Sequence, residues 1–137
     1  MTDGGEAPET AAENSAELRI SAGPLSAPVL CRVVSMMLAR ADCPLDRLDD
    51  AMLLCDALCA HAPAHVRDEH LALKVSVREG RLELRVGEMT AISAECLVQD
   101  AVLPEIGNVL EHMSDELRVD PSPDGESAEL LLAMNLP

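Results

Sequence analysis

The chain has 137 residues, and its 25 acidic and 10 basic residues give it a formal net charge of −15 at pH 7. This length suits a single domain, because domains cluster near ~100 to 150 residues, and the charge repels the phosphates of nucleic acids and of anionic lipids. Phe, Tyr and Trp are absent, which excludes aromatic stacking on a base or a sugar, so we expect a protein partner.

The first 16 residues, MTDGGEAPETAAENSA, are acidic and carry almost no large apolar side chain. Such a segment cannot offset its own ordering entropy, so residues 1–16 are predicted to be a disordered acidic tail and residues 17–137 to form the domain. The sequence has neither the pattern of a signal peptide nor the roughly 18 successive apolar residues of a membrane helix. We therefore expect a cytoplasmic protein whose five cysteines are reduced.

The first predicted elements are a short strand and a helix. ELRIS, residues 17–21, alternates apolar and charged side chains, which is typical of a strand, and Gly23-Pro24 ends it. Ser26 can cap the following helix, with Pro28 in its first turn. The residues expected on the buried face of this helix are Leu30, Val33, Val34, Met37 and Ala41.

A second helix is predicted from Pro44 to about Ala62, and Pro63 ends it. Its apolar residues follow three-and-four spacing and predict a buried stripe of Leu45, Leu48, Met52, Cys55, Cys59 and Ala62. A second row is predicted on the side away from the centre of that stripe and consists of Asp50, Leu54, Ala57 and His61.

The clearest pattern is HLALKVSVREGRLELRV, residues 70–86, where two alternating runs are joined by Glu79-Gly80. It predicts a β-hairpin with one buried face. A third helix is predicted from Ala101 to about Met113, and a second hairpin, starting at residues 116–120, ends the chain.

These elements predict an α+β two-layer sandwich. Because the strands alternate cleanly, we expect a mixed, mostly antiparallel sheet of about five strands with three helices on one face. The other face of the sheet would present basic side chains to water, namely Arg19, Lys74, Arg78, Arg85 and Arg118.

Three segments resemble the histidine-kinase-like (GHKL) ATPase domains, and among them the anti-sigma-factor serine kinases. DDAMLLCDALCAHA, residues 49–62, is similar to the family pattern DDLRLAVDEACxNA, with Ala57 at the Glu position and His61 at the Asn position. Residues 88–92, from Glu88, resemble the family's Asp-x-Gly-x-Gly, and residues 105–108 resemble Gly-x-Gly-Leu with only Gly107 kept. The likeness covers residues 17–137.

The resemblance implies an ATP pocket whose equivalents here are Ala57, His61, Glu88 and Gly107. Without glycines, backbone N–H groups cannot approach a triphosphate closely, and an imidazole is a poor ligand for Mg²⁺. We therefore expect a degenerate pocket and a pseudo-ATPase without catalytic residues. We expect no bound cofactor, although the resemblance implies that ATP with Mg²⁺ is the possible one.

The same resemblance implies a sigma factor or a STAS-type anti-sigma antagonist as the partner, and a homodimer. Two other classes stay open. One is an active ATP-dependent serine-protein kinase of the anti-sigma type, and the other is a small-molecule sensor with a cavity bordered by Asp50, Ala57, His61 and Glu88.

A zinc site is the alternative interpretation of LLCDALCAHAPAH, residues 53–65. Cys55 and Cys59 are one turn apart, but His61 is about 120° or more round the helix from them, and Pro63 separates it from His65. We therefore expect buried structural cysteines, a surface histidine and no metal. Met36 and Met37, in the first helix, are expected in the core rather than on a partner-binding surface.

Overall fold

A computed structural model gives the fold, and it describes residues 14–21, 23–66, 70–103, 107–123, 125 and 127–136, with only the backbone of Glu88, Val102 and Leu103. Residues 1–13 of the predicted tail lie outside the described residues. The strands are β1 (Asn14–Ser21), β2 (His70–Arg78), β3 (Arg81–Met89), β4 (Val102–Leu103), β5 (Gly107–Asn108), β6 (Glu116–Pro121) and β7 (Ala128–Asn135). The helices are α1 (Ser26–Arg40), α2 (Leu45–His61), α3 (Ala91–Asp100) and α4 (Val109–Met113), with a 3₁₀ turn at Ala62–Ala64.

The domain is an α+β two-layer sandwich, as predicted. Five strands form one sheet in the order β1-β2-β3-β7-β6, and β4 and β5 form a separate two-stranded sheet. All pairings between the described strands are antiparallel, so the described sheet has no parallel strand of the kind that a mixed sheet would contain. Alternation along β1, β2, β3 and β6 explains this layering, because it places one apolar face against the helices.

The central hairpin is confirmed. Leu71, Leu73, Val75 and Val77 of β2 are all buried against the helices. Glu79 and Gly80 have φ angles of +52° and +72°, and two successive positive φ angles are what a two-residue hairpin turn with the right-handed strand twist requires.

The third helix was predicted in the wrong place. The structure has a ten-residue helix, α3, at Ala91–Asp100, whereas the segment predicted as helix contains the two-residue strands β4 and β5 and the five-residue helix α4. Gly107 adopts a φ of +84°, which an α-helix cannot accommodate. The domain therefore has four helices among its described residues rather than three.

Helix α1 begins at the residue predicted to cap it, and α2 matches its predicted range to within one residue at each end. Ser26 is the first residue of α1 rather than its cap, and its buried hydroxyl donates to the carbonyl oxygen of Gly23 at 2.8 Å. Arg47 holds the start of α2 to the end of the sheet, because it donates to the carbonyl oxygen of Asn135 at 2.9 Å and to the carboxylate of Asp115 at 2.8 Å.

The sheet face away from the helices is covered by ion pairs. Arg85 lies 3.2 Å from Asp120, and Arg118 contacts both Asp120, at 2.8 Å, and Glu116. Leu131 of β7 stands directly opposite Arg85 and Arg118 on this face and is only 1% exposed. The charged side chains therefore cover an apolar residue, in the way that long arginine stems commonly do.

Candidate functional site

Ala57, at the position of the family's glutamate, is part of the core. Its relative exposure is 7%, and Leu54 in the same row is buried more deeply. The prediction that this row lies away from the buried stripe is wrong, because α2 contacts both α1 and α4 and is buried over a wide arc. Asp50 and His61, at the two ends of the row, are half-buried.

His61 is the last residue of α2. The chain continues into the 3₁₀ turn that contains Pro63, where the backbone N–H of His65 donates to the carbonyl oxygen of Ala62 at 2.9 Å. His65 Nε2 then lies 2.7 Å from the carboxylate of Asp100 at the end of α3. The two histidines of the zinc interpretation therefore have different surroundings, and His65 joins the ends of two helices.

Thr90 follows β3 and caps α3. Its Oγ1 accepts a hydrogen bond from the backbone N–H of Ser93 at 3.0 Å, and its carbonyl oxygen accepts from the N–H of Ala94 at 3.0 Å. The segment likened to Asp-x-Gly-x-Gly is thus the end of a strand and the first turn of a helix. The backbone of Glu88 belongs to β3, and its side chain is outside the described part of the chain.

Gly107 lies in β5, in the segment likened to Gly-x-Gly-Leu, whose Glu105 and Ile106 are outside the described residues. Asn108 follows it and bridges two helices. Its Oδ1 accepts from the backbone N–H of Glu111 in α4 at 3.1 Å, and its Nδ2 donates to the carbonyl oxygen of Val98 in α3 at 2.6 Å. The positive φ of Gly107 accounts for the glycine without any phosphate contact.

Sequence reasoning missed the capping roles of Thr90 and Asn108. Thr and Asn immediately before a helix are the ordinary signal of an N-cap, and both caps could have been predicted from that signal. They organise the region between the end of β3 and α4, which is where the resemblance places the phosphate-binding loops.

Four cavities lie on the open sheet face. The largest of the four has a volume of about 550 Å³ and is lined by Arg85, Asp120, Glu129 and the turn between β6 and β7. Others of about 390, 220 and 190 Å³ lie between side chains of β1, β2 and β3. None of these four includes Ala57, His61 or Gly107, and Arg85 contacts two carboxylates across the largest one.

The cysteines of α1 and α2 meet at the interface between these helices. The Cys31 thiol contacts the carboxylate of Asp56 at 3.8 Å, and a hydrogen bond from the Cys55 thiol lowers the pKa of Cys31. The same hydrogen bond, together with burial, raises the pKa of Cys55 far above its usual range, and burial raises the pKa of Cys59 to about 11. Cys55 and Cys59 are thus buried structural thiols, as expected.

Among the described residues, no three or more Cys, His, Asp or Glu side chains converge as metal ligands would. No helix of the described chain is long and apolar enough to cross a membrane.

The fold is similar to that of a solved structure, "The crystal structure of the RsbU and RsbW domains of Rv1364c from Mycobacterium tuberculosis", with a TM-score of 0.56 and 14% sequence identity. The match covers 90% of this chain and 32% of that one, so this chain spans about a third of its length. No protein-family model matches the sequence, and no curated protein matches it. At this identity the likeness establishes the fold alone.

Proposed function

We propose that this chain is a regulatory protein-binding domain of the anti-sigma type, a pseudo-ATPase that binds a sigma factor or a STAS-type antagonist without using ATP. The fold likeness to RsbU and RsbW domains supports the class of regulator. The loss of the nucleotide chemistry is supported by the region after β3.

The observation that carries the proposal is that α3 begins directly after β3. Thr90 uses its side chain and carbonyl oxygen to bind the N–H groups of Ser93 and Ala94. A triphosphate held without basic side chains needs free backbone N–H groups that it can approach closely. At this place two of those groups are already satisfied within the helix.

The positions of the family's two functional side chains support the same conclusion. The methyl group of Ala57 belongs to the core, so this position supplies neither a base nor a polar contact. His61 offers a ring nitrogen where Mg²⁺ prefers oxygen. Phosphoryl transfer depends on a positioned metal and on electrostatic stabilisation, and these residues provide neither.

The distribution of charge favours a basic protein partner on the helical side. Six of the 10 basic residues of the chain lie on the open sheet face: Arg19, Lys74, Arg78, Arg81, Arg85 and Arg118. The acidic residues that are in excess therefore lie elsewhere in the chain. The exposed Asp46 and Asp49, in the first turns of α2, are two of them. Complementary charge of this kind accelerates association and is screened by salt.

The test combines nucleotide and protein binding. Thermal unfolding is measured with and without millimolar Mg-ATP, since a ligand at 100 times its Kd would add about 2.7 kcal/mol of stability; no shift is expected. The purified chain is then titrated with sigma factors and STAS-domain proteins from its source organism, and saturable binding to one of them is expected. Stabilisation by Mg-ATP with transfer of phosphate to a partner serine would establish the kinase instead. Binding to none of these proteins would refute the proposed class of regulator.

A further inference from the structure

We infer that residues 1–13 bind, within their own chain, to a cationic groove on the open sheet face. These residues belong to the acidic tail that the sequence predicts, and they lie outside the described part of the chain. The groove is a different surface from the degenerate pocket, so the inference stands or falls independently of the proposed function.

The groove runs along β2 and consists of three cavities that share lining residues. The cavity of about 190 Å³ lies beside the β2–β3 turn and adjoins the cavity of about 220 Å³ at Ser76. That second cavity adjoins the one of about 390 Å³ at Glu17 and Lys74. Ala72 and Gly87 line the last cavity and leave it open, because neither has a long side chain. The three cavities therefore form one trough, which we call the β2 groove.

The charge of the β2 groove differs from that of the chain as a whole. Five of the 10 basic residues line it, but only four of the 25 acidic ones do. The basic residues are Arg19, Lys74, Arg78, Arg81 and Arg85, and the acidic residues are Glu17, Glu79, Glu83 and Glu129. An acidic segment that the rest of this chain repels is therefore attracted to the groove.

Lys74 lies at the centre of the β2 groove, where it borders two of the three cavities. Its side chain is exposed and forms no ion pair with a described residue, although Glu17 stands opposite it in β1. Arg81 and Arg85, by contrast, each contact two carboxylates of the chain. Lys74 is therefore a cation that can accept a further carboxylate partner without the loss of an existing ion pair.

Residues 1–13 join the sheet at one end of the β2 groove, because Asn14 pairs with Val77, the neighbour of Arg78. They include no basic residue and four acidic ones, Asp3, Glu6, Glu9 and Glu13. A β-turn reverses a chain within about four residues, and the remaining nine or so can extend over about 30 Å. Strand β2 covers only about 20 Å from Arg78 to Ala72. The segment is therefore long enough to follow the whole groove.

The covalent connection favours this occupant over a separate acidic molecule. Exposed ion pairs are individually weak, so an unattached segment needs many of them to bind. A segment joined to the groove by a short stretch of chain has an effective concentration in the ~mM range, and the net charge of −15 repels other polyanions.

The test uses Lys74 as a reporter, because it is the single lysine of the chain. A carbodiimide condenses a lysine amine with a contacting carboxylate into an amide and takes up the released water. In the full chain at low salt, Lys74 is expected to be joined to Asp3, Glu6 or Glu9. It is also expected to be joined to Glu17, which stands opposite it in β1 and serves as the internal reference. Mass spectrometry of the digested protein identifies each product.

Salt and two variants separate binding from random encounter. In about 1 M salt, where the Debye length falls to ~3 Å, the tail cross-links should fall at least fivefold relative to the Lys74–Glu17 product. Arg78→Glu reverses a charge where the tail enters the groove and should have a similar effect. Arg40→Glu makes the same change at an exposed position of α1 and should leave the yield unchanged. Persistence of the Lys74–Glu17 product shows that β1 and β2 are still paired in each variant.

A mixture of isotope-labelled and unlabelled chains shows which copy supplies the tail, and products that carry a single label are expected. Tail cross-links between differently labelled copies overturn the inference and assign the groove to the tail of a second copy. The absence of tail cross-links beside a strong Lys74–Glu17 product also overturns it and leaves the groove to an acidic partner. Equal yields in Arg78→Glu and Arg40→Glu overturn it as well, because they indicate contact without electrostatic attraction.

Discussion

The hydroxyl oxygen of Thr90 accepts a hydrogen bond from the backbone N–H of Ser93 at 3.0 Å. This contact fixes the start of α3 at Ala91, with only Thr90 between it and Met89 at the end of β3. A threonine is suited to this role, while the glycines of the family motif suit a loop that wraps round a ligand. The side chain of Thr90 is therefore part of the first turn of α3.

Removal of that cap should destabilise the domain. Thr90→Ala leaves the N–H of Ser93 without its acceptor and is expected to lower the free energy of unfolding by about 0.5 to 2 kcal/mol. Thr90→Ser keeps the hydroxyl and should stay close to wild type. Denaturant unfolding followed by circular dichroism measures both variants, and equal stability of Thr90→Ala and wild type would show that the cap does not matter.

Substitution of Ala57 distinguishes a core position from a pocket wall. Ala57→Glu, which introduces the glutamate of the pattern that this segment resembles, forces a carboxylate into a packed core and is expected to lower the free energy of unfolding by about 2 to 4 kcal/mol. Ala60→Glu, at an exposed position of the same helix, should change it by no more than about 0.5 kcal/mol. If the two variants have the same free energy of unfolding, position 57 borders open space and the degenerate pocket is accessible.

Period-two and three-and-four patterns were sufficient to predict most of the sheet and the first two helices. They predicted the β2–β3 hairpin because its alternation continues on both sides of an unambiguous turn. The strand at residues 17–21 in fact begins at Asn14, because Asn14, Ser15 and Ala16 pair with residues of β2. That extension depends on pairing with β2, which is distant in sequence, and the residues at 14–16 carry no pattern that predicts a strand.

The third helix and the motif positions were harder to predict. Residues 88–92 were likened to a glycine-rich motif and no element was predicted for residues 93–100, although Thr90 and the absence of proline and glycine favour a helix there. The row containing Ala57 was assigned to the outer side of α2 from its angle alone. Its burial depends on the neighbours of α2 on both sides, which one helix pattern does not reveal.

The ion pairs of the open sheet face predict that the pKa of Asp120 is measurably lowered. The Arg118 guanidinium, 2.8 Å from Asp120, lowers the pKa of that carboxyl, with a further contribution from Arg85. Arg118→Gln should move the pKa of Asp120 up towards its ordinary value near ~3.9, as measured by NMR titration of the side-chain carbon. Arg40 is an exposed cation of α1, and Arg40→Gln should leave the pKa of Asp120 unchanged.

The sign of the accompanying stability change follows from the lowered pKa. A carboxyl with a lowered pKa in the folded state stabilises the fold above its unfolded pKa, and this stabilisation is lost as the pH falls through the folded value. The difference in Tm between wild type and Arg118→Gln should therefore be complete at pH 6 and shrink below about pH 4. A difference that widens in acid would contradict this assignment.

The thiol pair between α1 and α2 predicts selective reactivity. Because the Cys55 thiol donates to Cys31 and lowers its pKa, Cys31 should be alkylated at pH 8 faster than Cys55 or Cys59. Cys55→Ala removes the donor, raises the pKa of Cys31 and should slow its alkylation, whereas Cys59→Ala should not. Mass spectrometry of peptides from the briefly treated native protein gives the rates, and an unchanged rate in Cys55→Ala would refute the hydrogen bond.

The two methionines of α1 are both expected in the core, and the structure separates them. Met36 is 61% exposed, whereas Met37 is buried. Met36→Glu should therefore change the free energy of unfolding by no more than about 0.5 kcal/mol, whereas Met37→Glu places a carboxylate in the core and should lower it by about 2 to 4 kcal/mol. Denaturant unfolding followed by circular dichroism measures both variants, and equal destabilisation by the two would contradict the exposure of Met36.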